Sequence, residues 1–104
     1  DDFAVLARKH LPAGYSAVAL GRIEEAPTFQ DVKRCLEKGE VGVLVLEIPQ
    51  RMNGGAVMSW SDLLQVREEA TRRGVKLHMD GARLWEVQPF YDKPLDQICE
   101  LFDS

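Results

Sequence analysis

The run Val41-Gly42-Val43-Leu44-Val45-Leu46 constrains the fold more than any other stretch, because it is continuously apolar, largely β-branched and bounded by Glu40 and Glu47. Too short for an ordinary helix, it reads as a strand covered on both faces, the pattern of a parallel sheet flanked by helices. The segments around it fit that reading. Thr28 is placed to cap a helix running to Lys38, which Gly39 would end, with Lys38 against the negative end of the dipole. After the strand, residues 47–56 form a loop rich in Pro, Asn and Gly, longer than a tight connection and of the kind that carries binding groups. Ser59-x-x-Asp62 then resembles a capping arrangement, and Leu63, Val66 and Ala70 make one apolar helical face ahead of Gly74. Residues 75–79 are a second candidate buried strand.

Elsewhere the pattern is weaker. Phe3–His10 predicts a helix, residues 15–20 a short strand, and residues 21–26 a polar connection closed by Pro27. Residues 84–88 and 94–102 predict two short helices, the latter with Leu95, Ile98, Leu101 and Phe102 on its buried side. The succession is α/β, a βαβ segment with parallel strands, read as one partial domain over residues 1–104. With 45% apolar and 29% charged residues the chain matches a globular protein. At this length it would bury roughly two thirds of its unfolded surface. A sheet of three strands leaves its edges exposed, so the chain alone is expected to be marginal or to associate.

The stretch Leu77-His78-Met79-Asp80-Gly81-Ala82-Arg83-Leu84-Trp85 carries the chemistry. Asp80-Gly81 stands where the second strand should end, and ligands of open α/β sheets gather at that end. A carboxylate there suits a cationic ring nitrogen, and the flat guanidinium of Arg83 suits two-point capture of a substrate carboxylate. The competing reading is a hairpin turning at Asp80-Gly81, with residues 82–87 as the return strand. His78, two residues before Asp80, shares its strand face and would orient the acid or a ring, or simply pack as a hydrogen-bonded histidine. Glu47 ends the first strand and is a possible further site residue. Trp60 and Trp85 read as core or subunit contacts. The run Arg67-Glu68-Glu69 with Arg72-Arg73 reads as a solvated helix face. Gly54-Gly55, without a capped helix at phosphate-loop spacing, is weak evidence for a phosphate site.

His78-Met79-Asp80-Gly81-Ala82-Arg83-Leu84 resembles the His-Leu-Asp-Gly-Ala-Arg-Leu signature of the low-specificity L-threonine aldolases, within the β-eliminating lyases of the fold-type I pyridoxal phosphate enzymes. The resemblance extends upstream through Leu46-Glu47, Gly54-Gly55 and the helix that precedes the signature strand. It implies the large, cofactor-binding domain of such an enzyme. By position Asp80 would pair with the protonated pyridine nitrogen, with His78 also on the cofactor side, and Arg83 would hold the substrate carboxylate. The implied activity is cleavage of a β-hydroxy amino acid such as threonine to glycine and an aldehyde, in a homo-oligomer. β-Elimination would share the same apparatus. Two departures stand out. Glu47 is followed by Ile48-Pro49-Gln50-Arg51 where the family has Asn-Thr, which bears on the substrate. The family's Schiff base lysine is expected beyond Ser104, and none of Lys9, Lys33, Lys38, Lys76 and Lys93 matches it. The chain therefore reads as a piece of an enzyme, inactive alone.

Other classes are disfavoured. A net charge of −4 with no basic stripe argues against nucleic acid. No apolar stretch approaches the roughly 20 residues needed to cross a bilayer, and with no signal-like start a cytoplasmic location is expected. Cys35 and Cys99, far apart, read as reduced, partly buried thiols, with no metal site. A flavodoxin-like signalling module would need acidic ligands after its first strand, where Leu20-Gly21-Arg22 stands. A non-catalytic interaction or scaffold fragment is the remaining alternative.

Overall fold

The computed structural model describes residues 3–10, 16–22, 27–38, 41–48, 57–81 and 84–104. Four strands form one sheet in the order β1 (Phe3–His10), β2 (Ser16–Arg22), β3 (Val41–Glu47) and β4 (Lys76–Asp80). β1 pairs antiparallel with β2, whereas β2–β3 and β3–β4 are parallel. The predicted helix at Phe3–His10 is thus an edge strand. Its Ala and Leu content favours a helix only weakly, and a ladder to β2 overrides that preference. The hairpin expected as an alternative at Asp80-Gly81 does not form either. Leu84 donates its amide to the Gly81 carbonyl at 3.0 Å and the chain enters a 3-10 turn, Leu84–Val87.

Two helices make the crossovers, α1 (Phe29–Glu37) and α2 (Trp60–Arg73). Thr28 caps α1 in a reciprocal capping box with Asp31. Ser59 caps α2 through the Asp62 amide at 3.1 Å. The Asp62 carboxylate does not complete a second box but accepts from Phe29 N at 2.9 Å, so one helix helps to cap the other. Gly74 ends α2 in the left-handed conformation, φ 71°, where a side chain would be strained. Short helices α3 (Gln88–Tyr91) and α4 (Leu95–Cys99) follow, and the predicted helix over 94–102 stops after this single turn or so because residues 101–104 turn back toward the sheet.

Both crossovers advance across the sheet in the same direction, so the usual right-handed connection delivers α1 and α2 to one side. There they bury Val18, Leu44, Leu46 and Leu77 together with Val32, Leu36, Leu63, Val66, Ala70 and Ile98. The expectation that residues 41–46 are covered on both faces holds for one face only: Val43 and Val45, on the other, are half-exposed.

The face of α2 carrying the charges is not simply solvated. Glu69 is 8% exposed and held by Arg72 and Arg73, and the Arg73 guanidinium, then that of Arg72, keeps its carboxyl below the usual range. Arg67 donates to the Leu101 carbonyl at 2.9 Å and to the Asp103 carboxylate at 3.2 Å. Cys35 is buried as expected, but Cys99 is exposed. Trp60 packs edge-on against Tyr91 at 5.3 Å, whereas Trp85, expected in a core or subunit contact, is 62% exposed here.

Two stability effects follow. Leu77 is fully buried at the centre of the core, so Leu77→Ala should cost about 3 kcal/mol, measured as a shift in the urea midpoint at unchanged slope. Asp103 accepts from Leu77 N at 2.8 Å; that amide, then Arg67, holds its carboxyl below the ordinary 3.8. A lowered folded pKa gives stability that is present above the unfolded value and lost as pH falls through the folded one. Asp103→Asn should therefore destabilise by about 0.5 kcal/mol near neutrality, after solvent screening, and the gap to the parent should close below about pH 4 in acid titrations of unfolding.

Candidate functional site

The parallel register brings Glu47, His78 and Asp80, three of the sequence-predicted residues, together. β3 and β4 pair Val43 with Lys76, Val45 with His78, and Glu47 with Asp80. Partners in a parallel pair project to the same side, so Glu47, His78 and Asp80 share the sheet face opposite the helices, with Val45 beside them. Glu47 and Asp80 close the carboxyl ends of neighbouring strands, about 4.8 Å apart along the hydrogen-bonding direction. Lys76 lies on that face too, but at the far end of β4, about 13 Å from Asp80 along the strand.

The backbone around Asp80 is fixed from both sides. Its carbonyl accepts from Ile48 N at 3.0 Å, which continues the ladder beyond Glu47. A β-carbon added to Gly81 would meet Met79 Cγ and Sδ at 3.3 Å and Leu84 Cβ at 3.4 Å, so a larger residue at the turn would press on both. The Asp80 side chain is exposed, and its carboxylate takes no hydrogen bond or ion pair among the described residues. It stands on a secured backbone and is open to solvent. Glu47 is half-exposed and engaged in an interaction of its own.

His78 is exposed on the same face, with Nδ1 3.0 Å from Ser104 Oγ. Arg83 and Gly54-Gly55 lie outside the described residues, as does most of the 47–56 loop. Among the described residues no group of three or more His, Cys, Asp or Glu side chains is placed to hold a metal ion, and no helix is long and apolar enough to cross a membrane.

Asp103 and Ser104 escaped the sequence reading. Nothing in their spacing ties them to β4, 26 residues upstream; only the folded chain does so. A groove of about 540 Å³ lined by Trp85, Gln88, Pro89, Asp92, Lys93 and Pro94 lies outside the Glu47–Asp80 cluster.

Known proteins share this fold. The chain is 38% identical to a candidate L-allo-threonine aldolase of Listeria monocytogenes, with a TM-score of 0.72 over 80% of this chain and 23% of that one. A structure from Exiguobacterium, described as a candidate aromatic amino acid beta-eliminating lyase/threonine aldolase, gives 36% identity and a TM-score of 0.71 over the same shares. An aldolase of Penicillium aethiopicum is 39% identical over 62 residues, 60% of this chain and 15% of its own length. The low specificity L-threonine aldolase of Saccharomyces cerevisiae is 38% identical over 50 residues, 48% of this chain and 13% of its own. The chain thus spans less than a quarter of each of these proteins. The model of the family described as beta-eliminating lyase matches residues 7–104. Taken with the partial α/β fold shared with the aldolase structures, that match places the chain in the beta-eliminating lyase family.

Proposed function

We propose that the chain is part of a pyridoxal phosphate-dependent lyase that acts on an amino acid, cleaving the Cα–Cβ bond of a β-hydroxy amino acid such as threonine to give glycine and an aldehyde. The observation that carries this reading is the exposed Asp80 carboxylate, held at the carboxyl end of β4 without a partner among the described residues. Such a group fits a cationic ring nitrogen, because an opposite charge a few ångströms away favours the protonated form. When bound, the cofactor would supply a sink for the electrons released as a bond at the substrate Cα breaks.

This chain's residues would then divide the work. Asp80 keeps the proton on the ring nitrogen. His78, on the same face, borders the cofactor. Arg83 grips the substrate carboxylate through paired N–H donors and so sets which bond at Cα is aligned for cleavage. Glu47, beside Asp80 in the register, adds negative charge to the same end of the sheet. The lysine that would anchor the cofactor belongs to a part of the protein outside these residues, so the fragment alone would be inactive. Aldolase activity is favoured over elimination by the relatives described as aldolases. The family resemblance further supports a homo-oligomer.

Borohydride reduction of the full-length protein with pyridoxal phosphate, followed by peptide mapping, should find the cofactor on a lysine C-terminal to Ser104; a folded protein with no adduct would sink the proposal. In that protein Asp80→Asn should leave the adduct intact and lower kcat for threonine cleavage about 100-fold, as expected if the ring nitrogen's pKa falls by roughly two units. Arg83→Ala should instead raise KM, by about 10- to 100-fold, if it removes a charge-assisted contact of ordinary strength. Equal kcat and KM in either variant would assign that residue a structural role only.

A further inference from the structure

Residues 101–104 do not trail away from α4 but dock along the open edge of β4. Ser104 N donates to the Leu77 carbonyl at 3.2 Å, and Met79 N donates to the Ser104 carbonyl at 3.0 Å. Bonds to residues 77 and 79 place Ser104 opposite His78 in the parallel sense. Beside this ladder, Asp103 accepts the Leu77 amide through its carboxylate at 2.8 Å and is gripped by Arg67, which also binds the Leu101 carbonyl. The segment is therefore fixed by main-chain bonds, by a side chain capping a strand amide and by an arginine from α2. A slip of one residue would break all three, since it would turn Asp103 and Ser104 to the wrong faces.

The consequence lies on the site face. Ser104 Oγ stands 3.0 Å from His78 Nδ1, and the serine backbone that carries it is held at both its N–H and its carbonyl. An imidazole with one nitrogen engaged presents the other; a hydroxyl can donate to Nδ1 or accept from it, and the Nε2–H form that neutral histidine intrinsically favours leaves Nδ1 to accept. We infer that Ser104 is a positioning residue: its hydroxyl donates to Nδ1 of His78, so that the neutral ring carries its proton on Nε2 and presents that N–H on the face shared with Asp80 and Glu47. Asp103 and Arg67 act one step further back, by keeping Ser104 in register. The bearing of this arrangement on catalysis rests on the lyase reading above; the arrangement itself does not.

The test uses the full-length protein with 15N-labelled histidine, His78 being assigned by comparison with His78→Gln. In the neutral form His78 Nδ1 should give the shift of an unprotonated nitrogen and Nε2 that of a protonated one. Ser104→Ala should move both shifts toward the average of exchanging tautomers, and Ser104→Thr, which keeps the hydroxyl, should restore them. With activity present, Ser104→Ala should lower kcat about fivefold, the worth of one ordinary hydrogen bond, with KM within twofold and recovery in Ser104→Thr. A proton on Nδ1 in the parent, or shifts untouched by Ser104→Ala, would overturn the positioning role whatever the activity. Normal tautomer behaviour in a protein that forms no lysine adduct would leave the inference standing and remove the lyase reading instead.

Discussion

The parallel pairing of β3 with β4 is the constraint on which the rest of this structure depends. Its register sets Leu44 against Leu77 and Leu46 against Met79 on the helix side, and Val45 against His78 and Glu47 against Asp80 on the other. One ladder thus builds the core and the candidate site together. A shift by one residue would exchange them, putting Asp80 and His78 among the leucines and Leu77 in water. The fully buried Leu77 makes that exchange costly, so packing on one face fixes which residues stand on the other.

The two aspartates at the ends of this region show how the fold assigns different tasks to one residue type. Asp103 has its charge met by the Leu77 amide and Arg67, and serves to hold a segment in place. Asp80 stands exposed at the strand end with its backbone secured by Ile48 and its carboxylate without a partner among the described residues. The same contrast appears within α2. Glu69 is folded under two arginines at the surface of the core, while Arg67 reaches off the helix to the C-terminal segment. Charges that look alike along the helix are divided between local pairing and long-range docking.

Much of this was legible because it is local. Thr28 and Gly74 bound their helices for reasons confined to a few residues: a side-chain oxygen that can accept an orphan amide, and a backbone free to enter the left-handed region. The run at 41–46 and the strand ending at Asp80 were visible in their apolar continuity, and Asp80 with His78 could be placed on one face from the period of a strand alone. Phe3–His10 reads as helix because its composition is ambiguous and its partner, β2, is a separate segment; Pro12 and Gly14, between the two in sequence, were the available signal. Full cover of β3 was misjudged because apolar composition reports that a residue tolerates burial, not which side the helices take.

By itself the sequence determined the strands and helices between Thr28 and Asp80, the strand-end position of Asp80 and the family signature, since each depends on near neighbours and on residue chemistry. Only the tertiary structure decided that Glu47 stands beside Asp80, that both helices leave this face open, that Asp62 caps a helix other than its own, and that Asp103 and Ser104 close on β4. Those contacts join residues 25 to 36 positions apart. Register and crossover handedness set them, and both are properties of the assembled sheet that no local pattern encodes.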